Sequence, residues 1–527
     1  MSSAKEPIKI GKFTLESLTT GMYADPRIIF REYIQNATDA IDSAVKQGVI
    51  QQNEGRIDIT IDKQNSKIII KDNGVGINHE DVWRLLGDIG DSEKRFEENR
   101  GFRGIGRLGG MSYVNELQFI TKAKGEAIRT IVYWDCKKLK ELLQPGKYMD
   151  YNLARVIDEI SLMTTEKEES DAHYFKVVLE GIDKKYPELL DSEDIKDYLS
   201  QVAPVSFNAQ KFPYAYDSTE GIIVKLKEFN KPEETYNIHL DGDPNPIYKP
   251  YKTWFVAADK RDDIQKIEFF HDYNDNNELL FWGWYAKTNW LGTINDKQVK
   301  GLRVRKNNIQ IGNGDLLDNF FSETRFNGWV IGEVYVYENN LIPNARRDDF
   351  ERNEEYRVFR DKLEKITKGR LSKFPKEHSS DRSERKWIDN AEQTITEVEA
   401  TLEKGITSES QRKDLFKKLD TAKSKVKPKK EQKPNEKSAI QSNGIKKTVF
   451  EKLKELEIKV IDTDTYRIQE VPSSYSREER KIVRLVFEVI DRNLSEDLAE
   501  KLKDDLIKEL QKNSKDNKKN EQKNFVN

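Results

Sequence analysis

Apolar residues recur at every fourth position through Ile29, Tyr33, Ala37 and Ile41, the stripe of an amphipathic helix. Asp25 suits an N-cap, Pro26 the first helical position and Gly48 a stop, so the pattern predicts a helix between them. Two β-branched runs follow, RIDITID and KIIIKDNGVGI, separated by the turn-prone KQNS, and they predict a hairpin. A short helix is expected around Asp81–Leu86, then a Gly- and charge-rich stretch, GDIGDSEKRFEENRGFRGIGRLGG. The runs NELQFITKA, AIRTIVYWD and HYFKVVLEGI read as further strands.

Beyond residue 185 the pattern is less regular. GIIVKLKEF, KTWFVAA, KIEFFHDY and LLFWGWYA read as strand-like. Trp282, Trp284 and Trp290 fit a base-stacking surface, but they lie in apolar runs and fit core packing better. GLRVRKNNIQIG and WVIGEVYVY predict two strands, followed by the polar loop LIPNARRDDFE and the start of a helix. The organisation expected is residues 1–185 as a first domain, 186–350 as a middle domain, and 351–425 as a helical extension. A Pro- and Lys-bearing linker at 426–445, a helical domain at 446–511 and a disordered tail at 512–527 complete it. Within KIVRLVFEVIDRNL, Ile482, Leu485, Val486, Val489 and Ile490 form a broad apolar stripe suited to burial against another helix.

Composition narrows the function classes. Acidic residues (93) nearly balance basic ones (90), so the chain as a whole is not marked as a nucleic-acid binder. A single cysteine, Cys136, excludes an intramolecular disulfide and favours a reducing compartment, hence a cytoplasmic location. It reads as a small buried apolar residue rather than a reactive thiol. The first residues lack the apolar core of a signal peptide, and no run is long and apolar enough to span a membrane. Five scattered histidines give no zinc spacing.

Three motifs carry chemistry. In REYIQNATDA, Glu32 and Asn36 stand four apart on one helix face, with Asp39 close to the same azimuth. An amide oxygen is a hard ligand for Mg²⁺, and a carboxylate beside it can take a proton from an attacking water. Alone, this spacing also fits a solvated polar face. KIIIKDNGVGI ends a strand at Asp72, then places Gly74 and Gly76. A carboxylate there can accept a hydrogen bond from a purine amine, and glycines let backbone approach a flat ring; an ordinary turn fits as well. GFRGIGRLGG supplies Gly101, Gly104 and Gly106 to a loop whose N–H groups can cradle phosphates, or serve only as a surface hinge. The preceding polar stretch could fold over a ligand as a lid, bringing Ser92 and Lys94 to phosphates.

Together, in order and within about 75 residues, these motifs resemble the ATP site of the GHKL superfamily, which includes gyrase, the ninety-kilodalton heat-shock chaperones, histidine kinases and MutL. The family pattern is ExxxNxxDA, then DxGxG, then a glycine-rich lid loop. The resemblance implies an α+β chain. Its parts would be an N-terminal Bergerat-type ATP-binding α/β sandwich, an α/β middle domain of transducer type and a helical C-terminal region. It implies Glu32 as general base, Asn36 on Mg²⁺ and Asp39 completing that face. Asp72 would bind the adenine amine, with Gly74 and Gly76 shaping the pocket and Gly101, Gly104 and Gly106 on the phosphates. The strand beginning AHYFKVV lacks the Gly-Thr pair the family often has, and Thr121 is the substitute nearest to hand.

The ATP motifs come first, with no upstream phosphoacceptor histidine, which is unlike the histidine kinases. Leu341-Ile-Pro343-Asn344-Ala-Arg346-Arg347-Asp348 also resembles the middle-domain loop of heat-shock-protein-90-like proteins. It implies Arg347, at the matching position, as the arginine that reaches the γ-phosphate, with Arg346 as the alternative. The expectation is a slow Mg-dependent ATPase working as a conformational switch, with a homodimer through the ATP domain and C-terminal helices and a protein client. Alternatives are a nucleotide-gated DNA-associated protein of MutL or MORC type, whose basic segment at 417–437 contacts phosphates, and a non-hydrolysing ATP-binding scaffold.

Overall fold

The computed structural model describes residues 10–18, 25–87, 106–231, 233–406, 409–427, 437–463, 476–494, 498–499 and 501–510. The chain divides into two compact units, Met1–His378 and Ser379–Asn527. Among the described residues no helix is long and apolar enough to cross a membrane.

The first half of the larger unit holds α1 (Phe13–Leu18), α2 (Ile28–Lys46), β1 (Arg56–Asp62), β2 (Lys67–Asp72), α3 (His79–Gly87), β3 (Glu116–Lys122) and β4 (Ile128–Asp135). After these come α4 (Cys136–Leu142), α5 (Leu153–Ile160), β5 (Ser161–Lys167), β6 (Tyr174–Glu180) and α6 (Ser192–Val202). Next are α7 (Ile222–Glu228) and β7 (Asn237–Leu240). Seven strands form one sheet in the order β5-β4-β3-β6-β2-β1-β7. The pairs are antiparallel except β1 with β7.

Period-two alternation decides which side chains face the helices. In β2 it buries Ile68, Ile70 and Asp72 on one side. In β3 it does the same for Leu117, Phe119 and Thr121. Ile29, Tyr33, Ala37 and Ile41 of α2 pack on that face in a single core with these strands. The core continues through Leu199 of α6 and Ile238 of β7, so this layer draws on residues past 185, where the sequence places the start of a second domain. Cys136 is buried in it, and burial pushes its thiol up to about 12.

Two expectations of local structure are corrected. α2 starts at Ile28 rather than at Pro26, because the amides of residues 28 to 30 bond three residues back in a tight turn. Asp25 accepts from the Arg27 amide at 3.0 Å within that turn and does not cap the helix. GIIVKLKEF, read as a strand, is the helix α7. Its buried residues are Ile222, Ile223 and Leu226, a one-sided helical spacing that a short apolar run cannot distinguish from a strand.

The rest of this unit comprises β8 (Trp254–Ala257), β9 (Lys260–Asp263), β10 (Lys266–Tyr273), β11 (Leu279–Lys287), β12 (Gly301–Lys306), β13 (Ile309–Ile311), β14 (Ile331–Val336) and α8 (Glu354–Ile366). A five-stranded sheet runs β10-β11-β14-β12-β13, beside a two-stranded β8-β9 ribbon. Trp282, Trp284 and Trp290 are buried, as core packing requires. This sheet also buries charge. Glu333 pairs with Arg305 and with Lys249 (2.7 Å), and Tyr251 donates to it at 3.0 Å. The two cations hold the Glu333 carboxyl down to about 2 against the effect of burial, while burial and Arg305 bring Lys249 down to about 7.

The smaller unit is helical. It takes in α9 (Lys373–Lys404) from Ser379 onward, α10 (Glu409–Val426), α11 (Lys437–Asp462) and α12 (Arg477–Asn493). Ile395, Val398, Leu415, Leu419, Leu453 and Val460 share one core. α11 begins at Lys437, inside the segment read as a linker. α12 opens on a capping box, Ser476 with Glu479, and buries Val483, Phe487 and Ile490 against Leu506 and Ile507. Ile482, Leu485, Val486 and Val489 lie on its exposed side.

Candidate active site

α2 gathers the motifs. Glu32 and Asp39 are buried on it and Asn36 is partly exposed between them. The DxGxG turn docks at its later half, where the Val75 amide donates to the Ala40 carbonyl at 3.3 Å. A Cβ on Gly74 would lie 2.6 Å from that of Ala40, so only glycine permits this approach. Gly76 has φ +70°, and a Cβ there would run into the Lys122 carbonyl. The turn is pinned to β3 as well, with the Ile77 amide donating to Thr121 Oγ1 at 2.7 Å.

Asp72 is almost completely buried, and its Oδ1 accepts from the Gly74 amide at 2.8 Å. Burial raises its carboxyl to about 7, partly offset by the backbone amides of Gly74 and Phe175. Asp72 and Thr121 both pair with Phe175 of β6, so they stand level on the same sheet face. His173 Nδ1 lies 2.9 Å from the Gly74 carbonyl. Its position beside the turn had no signal in the sequence, whereas strand alternation carries Thr121 to this face.

The glycine-rich loop meets the front of α2. A Cβ on Gly106 would overlap Glu32 Oε2, and Tyr33 donates to the Arg107 carbonyl at 3.0 Å. Of the other loop and lid positions expected to contact phosphates, Ser92, Lys94, Gly101 and Gly104 lie outside the described residues.

The arginine loop reaches the same place. Arg347 Nε donates to Glu32 Oε1 at 3.1 Å across 315 residues of sequence. Both side chains are largely buried. Arg346 turns away, its exposed guanidinium 3.3 Å from Asp348, while its carbonyl accepts from Arg31 at 3.0 Å. Of the two arginines, Arg347 is therefore the one whose side chain faces the glutamate. Arg31, next to Glu32 in sequence, also approaches its carboxylate, at 4.0 Å. The arrangement couples a potential base to a cation that can equally meet a phosphate.

Residues 26–164 match the family described as Histidine kinase-, DNA gyrase B-, and HSP90-like ATPase. The Chaperone protein HtpG of Clostridium botulinum (strain Langeland / NCTC 10281 / Type F) is 25% identical over 410 residues, covering 70% of this chain and 59% of the relative. That of Geobacter metallireducens is 23% identical over 277 residues, 46% of this chain and 41% of the relative. That of Sulfurovum sp. (strain NBC37-1) is 38% identical over 92 residues, 16% of this chain and 15% of the relative. The chain thus spans 59% or less of the length of these relatives. With the motif order, the sheet and the α2 geometry, the matches assign the segment 26–164 to the GHKL ATPase superfamily, on its heat-shock-protein-90-like branch.

Proposed function

We propose that the chain is a slow Mg-dependent ATPase that uses closure of its lid and arginine loop as a conformational switch. The observation that carries this reading is the Arg347–Glu32 contact, which sets an arginine from a distant loop against the glutamate of the ATP motif. Asp72 receives the adenine amine on its carboxylate. Asn36 offers a hard amide oxygen to Mg²⁺, which supplies charge neutralisation at the phosphates. While Arg347 holds Glu32, a carboxylate oxygen is occupied by the guanidinium N–H. When the guanidinium moves to the γ-phosphate it stabilises charge there and frees Glu32 to accept a proton from water. Turnover is slow because rearrangement, not chemistry, limits it.

The curated relatives are named chaperones, which favours a protein client over DNA. The exposed apolar side of α12 favours a second copy of the chain as a further partner, since four large aliphatic side chains in water make a contiguous patch. The test is ATP binding and turnover by the full chain and by Glu32→Ala. The variant is expected to bind ATP about as tightly as the parent and to hydrolyse it at least about a hundredfold more slowly, as loss of a general base requires. Unchanged turnover would remove Glu32 from the mechanism. Pull-down with the ATP-trapped variant then separates protein clients from DNA.

A further inference from the structure

The contact between Arg347 and Glu32 depends on how the arginine loop is held, and the loop is held from behind. The Arg347 carbonyl accepts from the Gly312 amide at 2.9 Å. Gly312, just past β13, has φ +64°, and a Cβ there would lie 2.8 Å from the Asp348 carbonyl, so the two backbones meet without room for a side chain. Arg347 itself has φ +54°, a left-handed conformation that an L-residue keeps only when its surroundings enforce it.

The Gly312 carbonyl is fixed in turn by a side chain. Gln310 Nε2 donates to it at 3.0 Å. The other end of the same carboxamide, Gln310 Oε1, accepts from Arg303 at 3.0 Å. Arg303 and Gln310 are both buried. Arg303 reaches on to α6, contacting Gln201 Oε1 at 3.3 Å, and Arg305 donates to the Gln201 carbonyl at 2.8 Å. α6 is tied back to the start of α2 through Arg27, the residue just before that helix, which donates to Asp194 at 2.9 Å. The chain of contacts therefore starts on α2, passes through α6, Arg303, Gln310 and Gly312, and returns to α2 at Glu32.

We propose that Gln310, held by Arg303, is a positioning residue that sets the Arg347 guanidinium over the nucleotide side of α2. Its carboxamide donates and accepts at once. Its acceptor end satisfies a buried cation; its donor end fixes the turn at Gly312, whose amide holds the Arg347 carbonyl. The proposal rests on the ATPase reading, because it concerns how Arg347 meets a γ-phosphate.

Gln310→Glu separates the two ends. A carboxylate still accepts from Arg303, so the buried cation keeps a partner and the protein folds. It has no N–H for the Gly312 carbonyl, so the turn loses its anchor. The readout is the ratio of affinities for AMP-PNP and ADP, each with Mg²⁺, measured calorimetrically on the full chain. It isolates the γ-phosphate contact and does not require hydrolysis. Arg347→Ala is expected to reduce that preference about tenfold or more, the scale of one hydrogen bond to a charged group. Gln310→Glu is expected to melt with the parent, leave ADP affinity unchanged and lose a comparable part of the preference. The double variant is expected to lose no more than Arg347→Ala alone. If Gln310→Glu keeps the parent's preference while Arg347→Ala loses it, Gln310 is only a structural partner of Arg303 and the inference fails. If Arg347→Ala keeps the preference, the assignment of Arg347 to the γ-phosphate fails first, and the positioning role falls with it.

Discussion

Replacing Asp72 with Asn is expected to stabilise the protein and abolish nucleotide binding. The folded chain holds the Asp72 proton up to about 7, against an ordinary value of 3.8, because the carboxyl is buried under α2. Between those values the folded state binds more protons than the unfolded state, so stability falls as pH rises through the window. Above about pH 7 the full penalty is present. At about 1.4 kcal/mol per pH unit, the separation corresponds to roughly 4 kcal/mol at pH 8 and under half of that at pH 5. Asn carries no ionisation penalty. Its oxygen can still accept from the Gly74 amide, but its amide hydrogens then face the purine amine, donor against donor. Thermal unfolding from about pH 4 to pH 8, with titration of ATP at each pH, measures both effects. The melting-temperature gap in favour of the variant is expected to widen with pH. Parent affinity for ATP is expected to weaken by up to about tenfold per unit below about pH 7, as the carboxylate is protonated. Parent-like ATP affinity in the variant, or a melting gap independent of pH, would refute the reasoning.

Two further substitutions test the scaffold on either side of the site. Gly76→Ala places a Cβ against the Lys122 carbonyl at a positive φ, and is expected to destabilise by about 2 kcal/mol or more and to weaken ATP binding, read by denaturant unfolding and calorimetry. Glu333→Gln leaves Arg305 and Lys249 buried without their anion, and is expected to cost about 3–5 kcal/mol, read as a lowered midpoint in the same unfolding experiment.

The sequence by itself determined what repeats locally. The four-residue stripe from Ile29 to Ile41 set α2 and its core-facing side, and the four-residue spacing of Glu32 and Asn36 put those two on one adjoining face. Alternation in KIIIKD set Asp72 on the helix side of its strand, and the positive φ at Gly76 is the kind of turn that Asp-Asn-Gly-Val-Gly announces. Short apolar runs were ambiguous, as α7 shows, because four or five residues carry too little periodicity to separate a strand from a helix.

Only the tertiary structure decided the long-range pairings. The loop pattern at 341–348 makes Arg347 the matching position and leaves Arg346 as the alternative; in the fold the Gly312 amide and a left-handed backbone turn the Arg347 guanidinium toward Glu32 and leave that of Arg346 in water. Likewise β7 completes the first sheet from beyond residue 185, and Lys249 finds Glu333 across 84 residues. Such contacts follow from which elements the chain brings together, a property of topology and close packing that no local period encodes.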